Sequence, residues 1–170
     1  DDGVRDAARV VVYGDYDHLA SLRDRLGLGV DLRRVTALDE ATHGTAVDVI
    51  DFGNVDAVEY GELRAANGRV SLAYVDRSLD HAIEGRLDGL CNAPIHKEAI
   101  SLAGSEYAGH TAMMADRTDT DRYTALLTDG DINVTHVSLH IPLSEAVERV
   151  TTANVLDTLR TTHEALPEIG

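Results

Sequence analysis

Lysine is almost missing from this chain: of its 15 basic residues, Lys97 is the single lysine and the rest are arginine. Thirty acidic residues oppose them, for a formal net charge of −15 spread along the sequence and not gathered in a tail. Such a field repels nucleic acid and anionic membranes, so neither is expected as a partner. An acidic, lysine-poor surface suits high salt, where screening relieves self-repulsion. A halophilic protein is therefore expected, the alternative being an acidic protein of ordinary salt tolerance. The lone cysteine, Cys91, excludes an internal disulfide and fits a reducing cytoplasm. It reads as a small buried apolar residue. No apolar run approaches the roughly 18 residues of a membrane span, and no basic-then-apolar leader opens the sequence, so a cytoplasmic location is expected. Internal repeats, low-complexity segments and linkers are also lacking. So is a G-x-G-x-x-G dinucleotide fingerprint, and Gly14-Asp15 is no substitute for one.

With 170 residues and 44% hydrophobic content, the chain has the size of one soluble domain or of a lobe of a larger one. Arg9 to Tyr13 reads as a β-branched strand, turned by Gly14-Asp15 into a helix from Tyr16 to Leu26 that Gly27 and Gly29 stop. Within Val30 to Asp56, "VDLRRV" suits a strand and "AVDVIDF" alternates as a half-exposed one should. His43 reads as a surface loop residue. Glu62 to Gly85 forms a long helix weakened at Gly68, with His81 turned to solvent away from Leu79 and Ile83. Tyr123 to Thr128 and Ile132 to Leu139 flank the turn signal Asp129-Gly130, as an antiparallel hairpin would. Ser144 is placed to cap a short helix, Glu145 to Val150. Thr151 and Thr152 can cap a final helix with Val155, Leu156, Leu159 and His163 near one face. The fold class that follows is α/β, a mixed, mostly parallel sheet flanked by helices, in one unit spanning residues 1–170.

The chemistry concentrates between Leu87 and Thr118. Leu87 to Cys91 suits a buried strand broken by Asn92-Ala93-Pro94, His96 to Ala103 suits a helix ended by Gly104, and Gly109-His110-Thr111 leads into a second helix, Ala112 to Arg117. Polar side chains on loops past a strand's carboxyl end line the crevice where open α/β sheets bind ligands. His110 and Thr111 stand at a loop-to-helix junction that favours anions, although Thr111 serves equally as a simple cap. His96 and Lys97 either present positive charge to a phosphorylated ligand or sit on an ordinary surface helix with Lys97 paired to an acid. Asp116 and Arg117 suit a local ion pair. His140 ends a strand ahead of Ile141-Pro142, as a metal ligand or as a structural residue. His136 lies about 13 Å from it along the strand, too far to share one ion.

Three motifs in order, "NAPIHKEAI", "AGHT" and "HVSLHIPL", resemble the 4-hydroxythreonine-4-phosphate dehydrogenase family of pyridoxal phosphate biosynthesis, whose near relatives oxidise phosphorylated threonate or erythronate. The resemblance runs from "RVVVYGD" to "LRTTHEAL". It implies an isocitrate/isopropylmalate dehydrogenase-like lobe and a metal-dependent oxidation and decarboxylation of a phosphorylated hydroxy acid. NAD or NADP would take the hydride, and zinc, magnesium or cobalt would be the divalent ion. On matching positions, His110 and Thr111 bind substrate and His140 is one of three metal histidines. The family's glycine-rich opening segment and its second half, with the remaining metal and cofactor contacts, have no counterpart here. The resemblance thus implies a homodimer or association with a second-half chain, or else a truncated non-catalytic lobe or one chain of a split enzyme. Ala112 stands where the family carries an acid, a departure expected to alter substrate contacts.

Overall fold

In the computed structural model, which describes residues 2–55, 58–139 and 141–169, β-branched residues set up a small parallel sheet. Its strands are β1 (Val11–Gly14), β2 (Leu32–Val35) and β3 (Val47–Asp51), in the order β1-β3-β2. Helix α1 (Asp2–Ala7) precedes β1, and α2 (Tyr16–Leu26) follows it. Gly27 ends α2 in the left-handed conformation at φ 63°, which glycine adopts without the steric penalty of a side chain.

The central strand is buried on both faces, unlike the half-exposed strand expected from its alternating pattern. Val49, Ile50 and Asp48 are all buried, with Asp48 only 1% exposed. A parallel strand flanked on both sides has no solvent face, so its carboxylate must be satisfied internally. Arg33 lies opposite Asp48 in the β2–β3 register and reaches it with Nε and Nη2 at 2.6 and 2.8 Å. The Thr42 N–H completes the set at 2.7 Å. Val35, Leu38 and Ile50 form the apolar cluster on this sheet, with Tyr13, Phe52 and Leu87 against it.

Helix α3 (Ala65–Ile83) is the platform for the next segment. Gly68 sits in its interior for a reason of contact and not of flexibility. A Cβ there would lie 2.0 Å from the Ala99 carbonyl oxygen of α4 (Lys97–Leu102). The two helices therefore touch backbone to backbone. A second cluster, Val75, Leu79 and Met113, joins α3 to α5 (His110–Arg117), with Leu90 and Ile95 against it.

Several expectations give way here. Leu87–Cys91 is not a strand: it pairs with none of β1 to β3, Leu87 and Leu90 anchor on different clusters, and Cys91 is exposed, not buried. His81 is buried, at 8% exposure, because α3 is covered by β1 as well as by the helices that follow it. Its Nδ1 lies 2.6 Å from the Tyr13 hydroxyl. Arg117 does not pair with Asp116; it bridges to Asp76 and Asp80 on α3, while Asp116 accepts from the Tyr107 hydroxyl at 2.5 Å. The expected exposure of His43 is observed.

Packing divides the chain into two compact units, Asp1–Arg117 and Thr118–Gly170. The second contains the antiparallel hairpin β4 (Leu126–Asp129) and β5 (Ile132–Thr135), then α6 (Leu143–Arg149) and α7 (Thr152–Ile169). Among the described residues the hairpin is a sheet of its own, so the single mixed sheet is replaced by a parallel and an antiparallel one. Ser144 lies inside α6, whose N-cap is Pro142. Thr151 does cap α7, accepting from the Asn154 N–H at 3.2 Å. No helix among the described residues is long and apolar enough to cross a membrane.

Candidate anion site at the start of α5

Two loops bring the central motif together on the α3 platform. Pro94 and the preceding residues carry the chain across α3 and release it at His96, which becomes the N-cap of α4 and accepts weakly from the Ala99 N–H through Nδ1, at 3.4 Å. Lys97 is then the first residue of α4. After Gly104, at φ +92°, turns the chain, the second loop closes on Gly109. Its φ of +156° belongs to a region that L side chains rarely adopt. Met113 donates to the Gly109 carbonyl at 3.3 Å, so α5 starts from a cap residue without a side chain. The N–H groups of His110, Thr111 and Ala112 occupy the first turn, where helical bonding leaves donors unused.

His110 and Thr111 are thus helical residues of α5 and not loop residues, and Thr111 is not its cap. The far end of α5 is pinned to α3 by the Arg117 bridges and by buried Met113, which fixes the direction of the first turn. His110 is half-buried, and burial holds its pKa below the ordinary histidine value, favouring the neutral ring. The Lys97 side chain completes the arrangement. Its Cε lies 3.7 Å from where a side chain on Gly109 would begin, so the sole lysine is laid along the turn that opens α5. A flexible ammonium, a helix N-terminus and a neutral imidazole suit the oxygens of a phosphate or carboxylate.

The other expected residues stand elsewhere. His140 lies outside the described residues. Among the described residues no group of three or more histidine, cysteine or carboxylate side chains is gathered to hold a metal ion, so the described donor set does not by itself fit a divalent ion. His136 falls just past the end of β5 and not within a strand reaching Leu139, and its buried Nδ1 has no hydrogen-bond partner among the described residues. Gly14-Asp15 is no phosphate loop, since the Asp15 carboxylate already accepts from the Asn54 and Val55 N–H groups and from the Tyr74 hydroxyl. Sequence reading missed the Gly68–Ala99 contact that seats α4, and a glycine within an otherwise regular helical pattern was its one signal.

The chain is similar to known proteins over nearly its whole length. A D-threonate 4-phosphate dehydrogenase of Cupriavidus necator is 30% identical over 99% of this chain and 51% of its own length. A 4-hydroxythreonine-4-phosphate dehydrogenase of Chromobacterium violaceum is 31% identical over 94% and 48%. The crystal structure of a 4-hydroxythreonine-4-phosphate dehydrogenase from Burkholderia phymatum superposes with a TM-score of 0.85 at 30% identity, covering 96% of this chain and 50% of that one. The chain spans about half the length of the curated relatives it matches. The family model described as pyridoxal phosphate biosynthetic protein PdxA matches residues 6–170, and the chain belongs to that family.

Proposed function

We propose that this chain supplies the substrate-anchoring lobe of an oxidoreductase of pyridoxal phosphate biosynthesis, acting on a phosphorylated hydroxy acid in an isocitrate/isopropylmalate dehydrogenase-like architecture. The observation that carries the reading is the Lys97 side chain laid against the Gly109 turn that opens α5. The two relatives' names share a 4-phosphorylated substrate. Lys97 and the first-turn N–H groups would hold its phosphate, while the neutral His110 ring and the Thr111 hydroxyl would orient the remainder by hydrogen bonds. A nicotinamide cofactor, NAD or NADP, would when bound supply the two-electron oxidant, taking the carbinol hydride while the O–H proton would pass to a base, and the β-keto acid so formed would lose CO2. Because these residues span about half of the relatives' length, the hydride acceptor and the divalent ion would be held mainly by the half that they do not cover. His140 is the residue of this chain proposed for the ion. Calorimetry with zinc tests that assignment, and an isotherm unchanged by His140→Ala would remove it.

The anion site is tested by calorimetry with 4-phosphohydroxythreonine on the wild-type chain and on Lys97→Met, His110→Ala and Thr111→Val. A charge-assisted hydrogen bond contributes about 1.5–3 kcal/mol, so Lys97→Met is expected to weaken binding at least about tenfold. Affinity that survives both Lys97→Met and His110→Ala would refute the assignment.

A further inference from the structure

We propose that the cleft beyond the carboxyl ends of β2 and β3 is a second binding site, which takes the carboxylate or phosphate of a small molecule between Arg77, Arg86 and His81. Its volume is about 450 Å³, and those three residues line it with Leu38, Phe52 and Thr36. Ligand pockets commonly fall between about 300 and 1,000 Å³ and present a few convergent polar groups over apolar walls. The position is the one that open parallel sheets use, outside the carboxyl ends of the strands.

The charges around the cleft are unevenly satisfied. Asp51 is engaged by Arg34 at 3.1 Å and by the Tyr16 N–H at 2.9 Å. Asp39 is engaged by Arg86 at 2.7 Å. Among the described residues Arg77, by contrast, reaches a carboxylate only at 4.0 Å, and that group, Asp80, is already bridged by Arg117. Arg86 is bridged by both Asp39 and Glu84, so among the described residues Arg77 is the less compensated of the two arginines in the lining. His81 is fixed by Tyr13 through Nδ1, which leaves Nε2 as the ring nitrogen available to a ligand. A guanidinium fork beside a fixed imidazole recognises carboxylate or phosphate oxygens, and Leu38 and Phe52 provide an apolar wall for the rest of the molecule.

The test is NMR on the chain with ¹⁵N-labelled histidine, titrated separately with inorganic phosphate and with acetate at constant ionic strength. The His81 ring signals are expected to shift saturably with at least one of them while those of exposed His43 stay in place. Arg77→Gln is expected to raise the midpoint at least fivefold without lowering the Tm. Absence of a saturable His81 shift with both anions, or an unchanged midpoint in Arg77→Gln, overturns the proposal. His110 reports the α5 site in the same spectrum, and His110→Ala is expected to leave the His81 response intact, so the two sites fail separately.

Discussion

Replacing Gly68 with alanine sets two effects of opposite sign against each other in one helix. Alanine favours a helix interior by about 1 kcal/mol over glycine. The added methyl, however, would lie 2.0 Å from the Ala99 oxygen, 2.4 Å from its carbonyl carbon and 2.9 Å from the Ile100 nitrogen. These are backbone atoms, so no side chain can rotate away, and α4 must retreat by more than about 1 Å to restore ordinary contact. Ile100, 1% exposed, moves with it. Overpacking commonly costs about 1–3 kcal/mol, and a backbone clash belongs at the upper end. The net loss is then about 2 kcal/mol. At this chain length that lowers the Tm by roughly 4–8 °C, which thermal unfolding by circular dichroism resolves. Exposed Ala66 in the same helix supplies the control, since Ala66→Gly isolates propensity and is expected to cost about 1 kcal/mol. A neutral or stabilised Gly68→Ala protein would show that α3 and α4 do not meet backbone to backbone.

Three further outcomes follow from the charged and buried groups. The Arg33 hydrogen bonds hold the Asp48 pKa below the usual carboxylate value, so its contribution is present above the unfolded-state pKa and is lost as pH falls through the lower, folded one. Acid unfolding should accordingly soften in Asp48→Asn, and Arg33→Leu should lower the Tm more than the double variant does, because it leaves a buried carboxylate unpaired. Burial lowers the pKa of both His81 and His110, so stability is expected to decline as pH drops from the unfolded histidine range, about 6.5, towards their folded values; NMR titration showing either ring above 6.5 would contradict this. Finally, with a net charge of −15, the Tm should rise as potassium chloride is raised from 0.1 to about 2 M, and a flat or falling Tm would end the halophilic reading.

Local signals in the sequence were the readable ones. The limits of α2 follow from its leucine spacing and from Gly27, and the hairpin from Asp129-Gly130 between two β-prone runs. What escaped depends on partners distant in the chain. Leu87–Cys91 is apolar enough for a strand, but a strand also needs an edge to pair with, and composition does not announce one. Asp48 looks solvent-facing until Arg33 is found opposite it. His81 falls off the main apolar stripe of α3, yet α3 is covered on a second side by β1, where Tyr13 waits for it. The site itself was half legible. The sequence placed His96, Lys97, His110 and Thr111 in one segment, but it set His110 and Thr111 at a loop-to-helix junction, whereas Gly109 moves the helix start back onto His110.

A chain with one lysine, held against a glycine turn, carries its own reporter. Acylating reagents that attack primary amines find a single side-chain target in it, and the mass gained at Lys97 records whether that ammonium is covered. Coverage of that ammonium can then be followed without dye, mutation or enzymatic turnover, by weighing the peptide that contains Lys97 after a timed exposure.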